Sequence, residues 1–338
     1  MRRATRSLPL VVVALLLFSL AAAAQDRPLP RRPVTTYSIV ARDSTTGRLG
    51  VAVQSHWFSV GSVVPWARAG VGAVATQSFV DASYGPMGLR LMEAGRTPEQ
   101  ALDGLLEADP SPEVRQVGMV DDRGRVAVHT GERAIRHACH RTGDGFTVQA
   151  NLMHHAGVCD AMHRAYRSHD GDLAARLTAA LRAAQRAGGD IRGKQSAGLL
   201  VVAAEASGRP WDDRIFDLRV EDDPEPLEEL ERLLRVARAY RHMNAGDAAV
   251  TAGDVDRAAR AYRRAEELLP DRAEPPFWHA VNLVTAGRVE EAMPLFAEAF
   301  RKRPALRELV GRLPEAGLLP EEPGLVERIR SAGRDDGS

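Results

Sequence analysis

Two threonines, Thr35 and Thr36, stand at the head of the strand-like segment TYSIVA. A threonine hydroxyl is a poor nucleophile while it keeps its proton. One remedy makes the threonine the first residue, so that its own α-amine, with an ordinary pKa near ~8, serves as base. That chemistry needs a cut before Thr35 or Thr36. The other reading is that both residues simply favour β structure. A nucleophile of this kind wants a cation to lower its pKa and an acid to orient it. Lys194 is the only lysine besides Lys302, and it lies in GGDIRGKQS with Asp190, Arg192, Gln195 and Ser196. Arg192 suits bidentate capture of a carboxylate; a structural salt bridge and turn is the plainer alternative. Asn151 ends a strand-like run and can donate its amide to an oxyanion, or satisfy a neighbouring backbone group. Ser55 and His56 follow GVAVQ, but adjacent strand residues point to opposite faces, so they are no Ser–His dyad by themselves. Each can still line a pocket, as can Gln77 and Ser78 after GAVAT.

Sulfur and imidazole form a second group. His155, Cys159 and His163 fall at i, i+4 and i+8, one face of a helix if the stretch is helical. His137, Cys139 and His140 cluster nearby. Such ligands suit zinc, yet the spacings match no compact zinc motif, and no metal or cofactor is assigned. A Cys139–Cys159 disulfide and unpaired, partly buried side chains are the other readings.

The elements that must position these groups follow from composition and pattern. Arg2, Arg3 and Arg6, then an apolar Leu8–Leu20, then Ala22-Ala23-Ala24, read as a signal peptide over residues 1–24, which places the mature protein in the periplasm or outside the cell. Residues 25–34 are a Pro/Arg-rich linker or propeptide. Loss of the leader removes three of 45 basic residues and none of the 45 acidic ones, leaving a net charge of about −3, which gives no reason to expect a nucleic-acid partner. No later stretch is expected to span a membrane. Over residues 35–224, strands, helices, strands, helices and strands succeed one another, which predicts an α+β layered domain rather than a regular βαβ alternation. RQVGMVDDRGRVAVHTG reads as a hairpin around Asp121–Gly124. Residues 225–313 turn helical, and there AGDVDRAARAYRRAEELLPD repeats as AGRVEEAMPLFAEAFRKRPA. Gly253 matches Gly287, Ala258 Ala292, Tyr262 Phe296, Ala265 Ala299 and Pro270 Pro304, every offset being 34. Two such units resemble tetratricopeptide repeats, with helices near 227–243 and 306–313 as caps. Residues 314–338 are a tail.

The blocks TYSIVARD, GVAVQSHWFSVG, VPWARAGVGAVATQS, YGPMGLRLMEAG, RQVGMVDDRGRVAVHTG, VQANLM and GGDIRGKQSAGLLVV together resemble the bacterial domain-of-unknown-function 1028 family over roughly residues 35–223. The resemblance implies the N-terminal nucleophile hydrolase fold, a four-layer αββα sandwich. It also implies that Thr36 is the matching threonine, which in members without an export signal follows the initiator methionine. Here residues 25–35 precede it, so either they are cut away or Thr36 has no free amine. The second group, His137, Cys139, His140, His155, Cys159 and His163, lies outside the family pattern.

Two functions follow. One is an exported amidohydrolase in which Thr36, with Asn151 and Lys194, attacks a small amide or peptide-like bond. The other is a non-catalytic periplasmic binding or scaffold protein. Under either, the repeats are expected to hold a protein or peptide partner, and homo-oligomerisation stays open.

Overall fold

The computed structural model describes residues 33–34 and 36–334. Its first hairpin joins β1 (Thr36–Arg42) to β2 (Leu49–Ser55) and sets Thr36 opposite Ser55. Both strands are buried along nearly their whole length, which is why they read as continuous apolar runs rather than as alternation.

They form the centre of a six-stranded antiparallel sheet. Its order is β10 (Arg214–Val220), β9 (Ser196–Val202), β2, β1, β8 (Phe146–Ala150) and β7 (Cys139–Gly143). A second antiparallel sheet runs β3 (Pro65–Arg68), β4 (Gly72–Ser78), β5 (Arg115–Asp121) and β6 (Val126–Thr130). Period-two geometry divides each strand between two cores. Tyr37, Ile39 and Ala52 turn outward and pack with Met162, Leu177 and Leu181 of α3 (Val158–Ser168) and α4 (Leu173–Arg186). Val40, Val51 and Val53 turn inward and meet Ala73, Ala75 and Val120 of the second sheet. On that sheet's far side, Val74, Val117 and Met119 pack with Tyr84, Leu89 and Leu102 of α1 (Tyr84–Glu93) and α2 (Pro98–Ala108). A capping box between Thr97 and Gln100, followed by Pro98 in the first turn, starts α2. The glycine-rich stretch before Ser78 becomes the tight β3–β4 hairpin. The strand β7, which sequence patterning does not suggest, is half-exposed at the sheet edge.

The helical region begins with α5 (Pro226–Thr251), longer than the expected 227–243. Its first turns insert Leu227, Leu230 and Leu234 into the core beneath α4, so the composition boundary at Pro224 is not a packing boundary. Its last turns bring Ala239 and Met243 onto Tyr262 and Ala265. There follow α6 (Val255–Leu268), α7 (Glu274–Thr285), α8 (Val289–Lys302), α9 (Leu306–Val310) and α10 (Pro323–Ser331). The bounds of α6 and α8 differ by 34 at both ends, and the repeated Ala258, Tyr262 and Ala265, like Ala292, Phe296 and Ala299, are all buried. Gly253 and Gly287 both have φ near +77°, the left-handed conformation that ends the preceding helix. The expected leader and most of the linker lie outside the described residues. Among the described residues no helix is long and apolar enough to cross a membrane.

Candidate functional site

Thr36, first residue of β1, is fully buried and turned toward the second sheet. Its Oγ1 donates to the Val34 carbonyl at 2.8 Å and lies 3.3 Å from Ser55 Oγ. Val34 in turn exchanges two backbone bonds with Ser78, N–H to O at 2.7 and 3.0 Å. Arg192 Nη1 donates to the Pro33 carbonyl at 3.5 Å. In the intact chain, then, upstream backbone lies over the threonine, and its nitrogen is an amide rather than an amine.

Beneath Thr36 the interface between the sheets is polar. Asn151 N and Gln77 Nε2 donate to the Thr36 carbonyl at 3.1 and 3.2 Å. Ser38 Oγ donates to Gln77 Oε1 at 2.6 Å and receives Gln149 Nε2 at 2.6 Å. Gln116 is the hub. Its Oε1 accepts from Gln77 Nε2 at 2.7 Å and from Asn151 Nδ2 at 2.9 Å. Its Nε2 reaches Thr130 Oγ1, the Ala150 carbonyl and the Cys139 carbonyl at 2.9, 3.0 and 3.2 Å. Gly118 makes room for this layer, since a Cβ there would meet Gln149 Oε1 at 2.6 Å.

Three buried polar atoms near this layer have no partner among the described residues: Asn151 Oδ1, Ser78 Oγ and His56 Nδ1. Buried atoms left unpaired are costly, and a ligand or a reaction is one source of the missing partner. Ser78 and Leu152 also hold positive φ, 72° and 56°, which non-glycine residues adopt at a cost of about 1–2 kcal/mol. A pocket of about 610 Å³ opens beside them, walled by Pro33, His56, Trp57, Leu152 and Arg192, with Phe58 64% exposed on its rim.

The segment GGDIRGKQS divides. Asp190, buried, receives the Arg192 guanidinium in a fork at 3.1 and 2.7 Å, the Arg192 amide at 2.9 Å and the His56 amide at 3.3 Å. This cluster fixes the pocket wall. Lys194, by contrast, pairs with Glu225 beside the start of α5, not with Thr36. Gln195 N donates to the Ser55 carbonyl at 3.2 Å and its side chain to Asp222 at 3.1 Å. Ser196 receives Val60 N at 3.1 Å and donates to the Trp57 carbonyl, which anchors the loop after β2. Asn151 spends its amide donor on Gln116 and leaves its oxygen, not its nitrogen, unpaired.

Cys139 and Cys159 form a disulfide with Cα atoms 6.1 Å apart, tying β7 to α3. The proposed three-residue histidine–cysteine face does not form. Gly157, at φ 93°, starts α3 only at Val158, so His155 lies outside the helix. His163 packs on Phe146 with ring centres 5.1 Å apart, and His140 Nδ1 bonds Thr130 Oγ1 at 2.9 Å. Among the described residues no three His, Cys, Asp or Glu side chains are placed to hold a metal ion.

Sequence patterning does not by itself single out Ser38, Gln116 and Gln149. The available signal was a polar residue at an inward position of an otherwise apolar strand, as in RQVGMV and FTVQA.

A mixed α+β chain of two antiparallel sheets with this buried polar layer is the class that the fold and site define. The family described as "Family of unknown function (DUF1028)" matches residues 36–230, and the chain belongs to it. Protein SPO2555 from Silicibacter pomeroyi, a DUF1028 protein of known crystal structure, is similar at 28% identity and a TM-score of 0.53, over 60% of this chain and 88% of that one. No curated protein matches the chain.

Proposed function

We propose that the protein is an exported amidohydrolase of the N-terminal nucleophile type, acting on a small amide or peptide-like bond. In this reading the two sheets and their flanking helices are the four-layer αββα sandwich of that superfamily. The observation that carries it is the position of Thr36, which lies on the inner face at a strand end, 3.3 Å from a second hydroxyl and under upstream backbone. A cut before Thr36 removes the acceptor that now holds its hydroxyl and takes Pro33 out of the pocket wall. The freed amine then accepts the Oγ1 proton while Oγ1 attacks the amide carbon. The same ammonium returns the proton to the leaving nitrogen, and water later cleaves the ester. Ser78 Oγ, and Arg192 Nη1, which in the intact chain donates to the Pro33 carbonyl, are the groups that face the substrate in this reading. The apolar rim at Phe58 suits an apolar substituent. Residues 1–24 act as the export signal and 25–35 as the propeptide. The Cys139–Cys159 bond fits an oxidising compartment. Residues 252–304 act as two tetratricopeptide-like units that receive a protein or peptide.

Two observations favour the second reading, a non-catalytic binding protein: Thr36 is wholly buried in the intact chain, and Lys194 is engaged by Glu225. Intact mass and N-terminal sequencing of protein recovered from the periplasm separate the two. A chain beginning at Thr36 supports the hydrolase; one beginning at Gln25 removes it. With a cleaved chain in hand, Thr36→Ala should abolish turnover of any substrate found in an amide library.

A further inference from the structure

A second cavity, of about 580 Å³, opens where the sheets meet the helical region. Its wall is cationic. Arg48 comes from the β1–β2 turn, Arg241 and His242 from α5, and Arg264 from α6. The carboxylate in the wall, Asp172, is already committed: it receives Arg238 at 2.6 Å and caps α4 through the Ala175 amide at 2.9 Å. Arg264 has an exposed partner on its own helix, Glu267, at 2.5 Å. Arg48 and Arg241 have no carboxylate partner among the described residues; Arg241 instead lies over the Phe216 ring, 5.6 Å from its centre.

Elsewhere several arginine forks meet carboxylates at 2.7 Å, as in Arg182–Glu231, Arg232–Glu229 and Arg288–Glu291. In the cavity, Arg48 and Arg241 share one wall with no such partner among the described residues. Burial and then the charge of Arg48 hold Arg241 below its ordinary pKa, and burial, then Arg264 and Arg241, do the same to His242. Like charges gathered in a partly dry cavity repel, and an oxyanion placed among them reverses the sign of that interaction. Apart from Arg238, which also lines the cavity, the rest of the wall is apolar, with Ile215, Phe216 and Leu268 forming a surface beside the cations.

We propose that this cavity binds a small organic oxyanion, with a doubly charged head among Arg48, Arg241 and Arg264 and an apolar body against Phe216 and Leu268. Because the wall draws on a β-turn, a strand and three helices, the bound anion also fastens the helical region to the sheets. The site is independent of Thr36, and a Thr36→Ala chain should bind identically.

The test is calorimetric titration of the full chain at low salt with phenyl phosphate and with phthalate, using phenol as the neutral control. At least one dianion should bind with a Kd below about 1 mM, and the stronger of the two identifies the head group as phosphate or dicarboxylate. Arg48→Gln and Arg241→Gln should each weaken that binding by about tenfold or more, and added salt should weaken it further. The dianion should raise the melting temperature of the native chain but not that of the double variant. Neither arginine has an acidic partner to lose, so melting of the unliganded variants provides the folding check. The proposal is overturned if neither dianion binds at about 10 mM, if phenol binds as well as the dianions, or if the double variant binds undiminished.

Discussion

Replacing Gln116 by leucine tests whether the polar layer between the sheets is a working network or an incidental one. The two side chains are close in volume, so no cavity term is expected. What changes is partnership. Asn151 Nδ2 loses Gln116 Oε1, and Gln77 Nε2 keeps only the Thr36 carbonyl. Thr130 Oγ1 keeps only His140, and the carbonyls of Ala150 and Cys139 lose this donor. A buried group stripped of its partner costs about 1–3 kcal/mol, while the added apolar burial returns part of that. The net expectation is a loss of about 2–4 kcal/mol, a large share of a typical ~5–15 kcal/mol stability. With a urea slope of about 2 kcal/mol/M the midpoint should fall by about 1–2 M at unchanged slope. Gln54→Leu is the internal control. Gln54 is buried in the adjacent strand, but neither its Nε2 nor its Oε1 has a partner among the described residues. Removing such atoms should leave stability unchanged or raise it by about 1 kcal/mol. Urea unfolding followed by far-UV circular dichroism reads both. If Gln116→Leu unfolds within about 0.3 M of the native chain, or Gln54→Leu falls as far as Gln116→Leu, the reasoning from partnership fails.

Other substitutions probe other parts of the chain. Gly246→Ala, in the interior of α5, would ordinarily gain up to about 1 kcal/mol in helix propensity. Here its Cβ would lie 2.5 Å from Tyr262 Cε2, so a loss of about 1–3 kcal/mol is expected on thermal melting. Reducing the Cys139–Cys159 bond, or making the double serine variant, should cost about 3 kcal/mol, because it frees a loop between cysteines 20 residues apart. Equal melting temperatures with and without reductant would contradict that. Burial, opposed by Arg176, pushes the Tyr166 phenol up to about 12 from its ordinary value of 10.0. The folded chain thus holds that proton more tightly than the unfolded chain does. The resulting stability is complete below pH 10 and declines as pH climbs toward 12. Tyr166→Phe, which also deletes a buried hydroxyl with no partner among the described residues, should melt within about 0.5 kcal/mol of the native chain at pH 7 and lose less stability above pH 10.

Much of this protein is written locally. Continuous apolar runs specify strands covered on both faces. Thr97-Pro98 and Gln100 specify a helix start, and glycines at a 34-residue spacing specify where successive helices stop. Family membership is equally local, since it rests on ordered blocks of sequence. Thr36 was legible as a candidate because its position at the head of a strand needs no tertiary information. What no local pattern contains is which inward positions of one sheet face which positions of the other. Ser38, Gln77, Gln116, Gln149 and Asn151 become one network only when two sheets stack, and Lys194 meets Glu225 rather than Thr36 only when α5 docks. The cysteines offered a metal or a bond until β7 lay beside α3, and the arginines of the second cavity are scattered over more than 200 positions of chain. Side-chain periodicity is a property of a few consecutive residues, whereas charge and hydrogen-bond complementarity depend on atoms brought together by folding, and only the folded chain assigns them.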